Sequence, residues 1–147
     1  SGLCGIAAAT RGAVVQAVDI NPKAVACTRR NARRNGVDLC ARETDLFDGL
    51  GRFDVVLFNP PYFAGRPTST FDLAWRTEDL VDRFSSQLEH HLQPEGFALV
   101  VLSSDGQGRR YLQRFAADGL RIARVAERRF WSERLAVFRL SSEPCVR

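Results

Sequence analysis

Two hydrophobic periods alternate along the chain. Residues 13–18 form a short apolar run that ends at Asp19. Val55, Val56, Leu57 and Phe58 form a continuous apolar run within residues 53–58, which predicts a strand buried on both faces. Residues 37–42 and 97–102 read as two further strands. Between them lie helical patterns. Residues 2–10 are Ala-rich and helix-prone. Asn21 is placed to cap a helix with Pro22 at its first position, and Asn35-Gly36 stops it. Leu80, Val81, Phe84, Leu88 and Leu92 repeat at helical spacing and predict a helix over 77–92, which Pro94-Glu95-Gly96 breaks. Tyr111, Leu112, Phe115 and Ala116 mark another helix, ending near Gly119. Residues 120–126 and 135–140 are strands joined too closely for a parallel crossover, so they form an antiparallel hairpin. Residues 63–76 read as a long loop.

This alternation predicts an α/β sandwich with a mostly parallel sheet. Ligands of such sheets bind beyond the carboxyl ends of the strands. The polar residues there are Asp19, Asp45 and Asn59. Asp19 can accept hydrogen bonds from the two hydroxyls of a ribose; the plainer reading is a surface acid near a helix N-terminus. Asp45 can accept an exocyclic adenine amine, with Leu46 and Phe47 as apolar walls, or it can cap its own turn.

The stretch Asn59-Pro60-Pro61-Tyr62 is more specific. Each proline restricts the residue before it to extended geometry, and neither has an N–H to continue a ladder. The turn therefore presents the Asn59 side-chain oxygen and the Pro60 carbonyl. Two aimed acceptors suit a planar NH₂ group, and the Tyr62 ring offers a face for stacking. A tight turn without chemistry is the bland alternative.

Composition narrows the partners. The chain has 147 residues, suggesting one domain over 1–147, with 45% hydrophobic and 26% charged residues, as in ordinary globular proteins. Its apolar runs fall short of the ~20 residues of a membrane span, and no leader pattern opens it. Cys4, Cys27, Cys40 and Cys145 are scattered, which fits a reducing cytoplasm and predicts a cytoplasmic protein. Net charge is +4, yet Lys23 is the only lysine among 21 basic residues. That bias reads as a composition effect more than a phosphate-binding surface. The pairs Arg29/Arg33 and Arg30/Arg34 read as a solvated helix face. His90 and His91 point apart and read as solvated. Phe130 and Trp131, in the closing hairpin turn, are either exposed wall residues near the substrate or core edge, with core edge preferred, and Trp75 is either packing or a wall of the substrate loop.

In sequence, "DVVLFNPPY" resembles motif IV of the class I S-adenosylmethionine (SAM)-dependent methyltransferases that act on amino groups. The chain as a whole resembles the HemK-like family, which methylates the side-chain amide of glutamine in release factors. "SGLCGIAAAT" resembles the end of motif I, "AVDINPKAVACTRRNARRNG" the acidic strand end and following helix, "TDLFDGL" the adenine-contacting loop, and "ERRFWSERLAVFRL" the closing hairpin. The resemblance implies a Rossmann-like class I fold with SAM as cofactor. It implies Gly2, Asp19, Asp45, Leu46 and Asn59 at the cofactor, and Asn59, Pro60 and Tyr62 at the reacting nitrogen. No metal is implied. A protein substrate such as a release factor is implied, and some members of the family use a small zinc-binding activator subunit. The chain departs from the family in opening at Ser1-Gly2, inside motif I. The family's first, central strand, its acid and its earlier glycines are absent, so a fragment of a longer protein, binding SAM weakly by itself, is expected.

The implied reaction is displacement of a methyl group from sulfonium by nitrogen. Asn59 and Pro60 would accept the two N–H bonds and aim the lone pair, so positioning and fixed dipoles supply the catalysis. Three alternatives stand beside this reading: an adenine-N6 methyltransferase on RNA or DNA, which shares the NPPY-type motif; a non-catalytic fragment lacking a complete cofactor site; and, more distantly, a nicotinamide-binding domain, which leaves NPPY unexplained.

Overall fold

The structure, a computed structural model, describes residues 1–60, 77–104 and 107–142. Pro61, Tyr62, Trp75 and the expected loop 63–76 lie outside the described residues. The chain divides into two compact units, Ser1–Leu50 and Gly51–Arg147.

The first unit runs α1 (Leu3–Ala9), β1 (Gln16–Asp19), α2 (Pro22–Arg34) and β2 (Cys40–Glu43). The cap of α2 forms as its sequence dictates: Asn21 is extended and its side-chain oxygen accepts from the Lys23 amide at 2.9 Å. Gly36, at φ 63, follows the helix and stops it. β1 and β2 pair in parallel, with Gln16 opposite Cys40 and Asp19 opposite Glu43. Both strands start three residues later than the runs that predict them. Arg29 accounts for part of the β2 anchor, because its guanidinium donates from Nε (3.0 Å) and Nη2 (2.5 Å) to the Ala41 carbonyl. This arginine is thus a clamp on a neighbouring strand rather than only part of a solvated face.

The second unit runs β3 (Phe53–Phe58), α3 (Thr77–Leu88), a 3₁₀ turn (Glu89–His91), β4 (Leu92–Ser103), α4 (Gly108–Ala117), β5 (Arg121–Arg129) and β6 (Arg134–Ser141). Its sheet has the order β3-β4-β6-β5, parallel between β3 and β4 and antiparallel in the other two pairings. Ala98, Val100 and Leu140 are fully buried on one face. Phe58 of that face stacks on Phe84 of α3 at 4.0 Å between centroids, and Phe84 meets Phe115 of α4 edge-on at 6.2 Å. The other face is not covered in the same way. Val55 and Leu57 are each 43% exposed, so β3 is not buried on both faces as its apolar run predicts. Among the described residues of this unit, β3 pairs with β4 and the two helices pack on the Phe58 side. The expected helix over 77–92 also ends early. It tightens into the 3₁₀ turn, where His91 shares a 2.9 Å hydrogen bond with the Gly51 carbonyl. His90 is exposed, as expected.

Candidate active site

In the first unit the acids converge on one edge. Asp19 ends β1, and the Thr44 amide, just past β2, donates to the Asp19 carbonyl at 3.2 Å. This places the loop with Asp45 beside the Asp19 strand end. The Asp19 carboxylate accepts from the Asn21 amide through Oδ1 at 2.9 Å. Among the described residues its second oxygen accepts no hydrogen bond, so one side of the carboxylate is open to a hydroxyl donor. Asp19 is half-buried, which keeps such an interaction partly shielded from water.

The loop after β2 is folded on itself. The Asp48 amide donates to the Asp45 carbonyl at 3.1 Å, the Leu50 amide to the Phe47 carbonyl at 2.9 Å, and the Thr44 hydroxyl to the Asp48 carbonyl at 2.9 Å. Leu46 has φ 48, a left-handed conformation that branched and bulky residues rarely adopt. Phe47 is buried and Leu46 half-buried. Of the two expected apolar walls, Phe47 is therefore core, and Leu46 is the one partly accessible.

Gly2 has φ 73 and precedes the first residue of α1. A Cβ there would stand 2.5 Å from Cγ2 of Thr28 on α2. Packing alone thus requires glycine at this position, independently of any ligand.

In the second unit the end of β3 alternates sharply. Phe58 is locked into the aromatic stack, Asn59 is exposed and Pro60 is fully buried. Asn59 is held between two anchored neighbours, at the carboxyl end of a strand that runs parallel to β4. The β5–β6 turn lies along the same edge, because Ser103 at the end of β4 pairs with Leu135 at the start of β6. This turn overturns one expectation. Trp131 is 109% exposed and Phe130 45%, so neither belongs to the core edge. The β6 start falls at the tip of a hairpin, where among the described residues the Arg128 guanidinium lies 5.3 Å from the Phe130 ring centroid and Trp131 is left in water. The signal for it was in the sequence: five arginines cluster within residues 121–134 around the two rings.

The alternating strands and helices of both units are those of the Rossmann-like class I methyltransferase fold. The chain belongs to the methyltransferase small domain family, whose model matches residues 1–127, in its HemK-like branch. It is 38% identical over 117 residues to "Putative protein N5-glutamine methyltransferase MJ0928" of Methanocaldococcus jannaschii, covering 71% of this chain and 58% of that protein. It is 30% identical over 142 residues to methyltransferase HEMK2 of Mus musculus, covering 88% of this chain and 66% of that one. The chain thus spans somewhat under two thirds of the length of these relatives. A solved ribosomal protein L11 methylase of Lactobacillus delbrueckii subsp. bulgaricus shares the fold, with TM-score 0.70 at 24% identity, over 93% of this chain and 63% of that one. Among the described residues no helix is long and apolar enough to cross a membrane.

Proposed function

We propose that the protein is a SAM-dependent N-methyltransferase whose acceptor is a side-chain amide of glutamine in a protein, of the release-factor kind. The observation that carries this reading is the alternation at the end of β3. Phe58 is half-buried and stacked on Phe84, Pro60 is fully buried and Asn59 between them is exposed, so the Asn59 amide is presented between two packed neighbours.

The residues fit the cofactor. The half-buried Asp19 carboxylate has one oxygen available for ribose hydroxyls, and the Asp45–Leu46 segment beside it offers an acceptor and an apolar contact for adenine. When bound, SAM supplies an electrophilic methyl group on a sulfonium, which leaves a neutral thioether. The rest falls to this chain. An amide nitrogen is a poor nucleophile because its lone pair is delocalised into the carbonyl. The exposed Asn59 side-chain oxygen accepts one of its N–H bonds; Pro60 is fully buried, so its carbonyl, expected to accept the second, is not open to a substrate in this structure and Asn59 carries the role. This acceptor favours the geometry in which the lone pair is released and stabilises positive charge as it develops on nitrogen, which then loses one N–H proton to water. Packing on both sides of Asn59 keeps this dipole in place before the reaction, so little reorganisation is needed.

The substrate assignment is supported by the name of the Methanocaldococcus jannaschii relative and by the planar NH₂ chemistry the turn suits. It is tested by offering the full protein radiolabelled SAM with release-factor protein, and separately with RNA or DNA. Label on protein glutamine is expected. Label confined to adenine would overturn the substrate while keeping the role of Asn59.

A further inference from the structure

The tip of the β5–β6 hairpin carries an exposed tryptophan that neither folding nor methyl transfer explains. Trp131 is 109% exposed and Phe130 45%, whereas tryptophan is highly buried on average. The tip is not a loose end. The Phe130 amide donates to the Glu133 carbonyl at 2.7 Å, the Ser104 amide to the Arg134 carbonyl at 2.9 Å, and the Arg134 amide to the Ser104 hydroxyl at 2.9 Å. The Ser103 hydroxyl donates to the Glu133 carboxylate at 2.5 Å. The rings are therefore displayed from a braced support, over an open depression lined by Ser104, Arg129, Phe130, Trp131, Glu133 and Arg134.

Charge at the tip is unbalanced. Arg129 and Arg134 are direct cross-strand partners, and both are exposed. Like charges directly opposite on a sheet repel. The two carboxylates of the hairpin are engaged elsewhere: Glu127 pairs with Arg124 at 2.6 Å, and Glu133 takes the Ser103 hydroxyl. Among the described residues neither Arg129 nor Arg134 has an ion pair. Arginine on an edge strand can serve merely to block strand pairing, and Arg121 and Arg124 fit that role. It gives no reason for an apolar ring fully in water beside a repelling pair.

We propose that this tip is a docking site for an acidic segment of the protein substrate. One carboxylate sits between Arg129 and Arg134, and an adjacent apolar side chain lies on Trp131. A carboxylate there relieves the repulsion between the two guanidinium groups and gains charge-assisted hydrogen bonds. A protein segment is the occupant because the proposed acceptor is a protein glutamine, and Trp131 beside the arginine pair suits an apolar side chain next to the carboxylate. The inference rests on the proposed protein substrate. It also fixes a spacing. The tip lies two to three strands from β3, roughly 10–14 Å at the usual inter-strand distance. An extended chain covers that in about three or four residues. The acidic residue therefore falls about that far from the methylated glutamine.

The test is binding of fluorescein-labelled peptides to the full protein at low salt, read by anisotropy without SAM. One peptide carries Asp-Leu four residues after its glutamine, the second has Asn in place of that Asp, and a short single-stranded RNA is the third probe. The acidic peptide is expected to bind best. Arg129→Glu with Arg134→Glu should weaken it about tenfold, and Trp131→Ala several-fold. Since all three side chains are exposed, the thermal midpoint should not fall. In methyl transfer to protein the double charge reversal should raise KM and leave kcat unchanged. Equal binding of the two peptides, indifference to the charge reversal, or tighter RNA binding that the reversal abolishes would each overturn the docking assignment. Failure of the methylation reading is seen separately: no label on any protein, with the peptide result intact, removes the proposed activity and leaves the docking surface.

Discussion

The amide of Thr44 donates to the main-chain carbonyl of Asp19 at 3.2 Å, tying the carboxyl end of β1 to the loop that carries Asp45. Asp19 thus serves structure with its carbonyl and, through Oδ1, with its side chain, which receives the Asn21 amide at 2.9 Å. Its structural and ligand-binding roles can be separated. Asp19→Asn keeps a side-chain acceptor for Asn21 but removes the charge. It should leave thermal stability nearly unchanged and weaken SAM binding in the full protein by about 1–3 kcal/mol. Asp19→Ala should weaken binding similarly and also lower stability by about 1 kcal/mol, having lost the bond to Asn21. Calorimetry with SAM and thermal melts check both, and unchanged affinity in Asp19→Asn would remove the ribose assignment.

Gly2 is expected to behave as a packing residue. Gly2→Ala puts a methyl group 2.5 Å from the Thr28 Cγ2 at a backbone φ of 73. Overpacking of this kind costs about 1–3 kcal/mol, beyond the roughly 1 kcal/mol of a left-handed alanine. Thr28→Ser removes the clashing methyl and should recover most of the first contribution and none of the second. Denaturant unfolding of the three variants measures this. If Gly2→Ala is as stable as the parent, the close approach to Thr28 is not what selects glycine.

Tyr111 gives a prediction of opposite sign. Its hydroxyl is buried without a hydrogen-bond partner among the described residues. Burial pushes the phenol pKa above its ordinary value, while the Arg110 guanidinium pulls it down. An unpartnered buried hydroxyl is unfavourable, so Tyr111→Phe should be neutral or stabilising by up to about 1 kcal/mol. A melting temperature several degrees lower would mean that the hydroxyl does have a partner.

Much of this architecture is written in the sequence, and the gaps have physical causes. The Asn21-Pro22 start of α2 and its stop at Gly36 are local signals, set by backbone chemistry within a few residues, and they appear in the structure as read. The antiparallel pairing of β5 with β6 follows from the short connection alone. The environment of β3 was not legible in the same way. A run such as Val55-Val56-Leu57-Phe58 records only that the side chains are apolar. Which face is covered depends on the helices, and Phe58 is covered by Phe84 while Val55 and Leu57 are not. Helical periodicity runs past the true end of α3 because Leu92, the first buried residue of β4, fits the helical spacing as well as the strand. The strand-end positions of Asp19 and Asn59 were legible because an abrupt change from apolar to polar residues marks a strand end. The exposure of Trp131 is marked only weakly: the five arginines within residues 121–134 favour it, while a tryptophan next to a phenylalanine ordinarily packs inside.

Asn59 is the residue on which methyl transfer should depend most. Its side chain is exposed between the half-buried Phe58 and the buried Pro60, so Asn59→Ala removes an acceptor without removing core contacts. The direct measurement is single-turnover methyl transfer by Asn59→Ala in the full protein, with SAM affinity and melting temperature recorded on the same sample. We expect transfer to fall by about 10²-fold or more, the scale of losing one preorganised transition-state partner, with affinity and stability nearly unchanged. A variant that melts markedly lower and loses activity only in proportion, or one that transfers methyl groups at the parent rate, would contradict the role assigned to the turn.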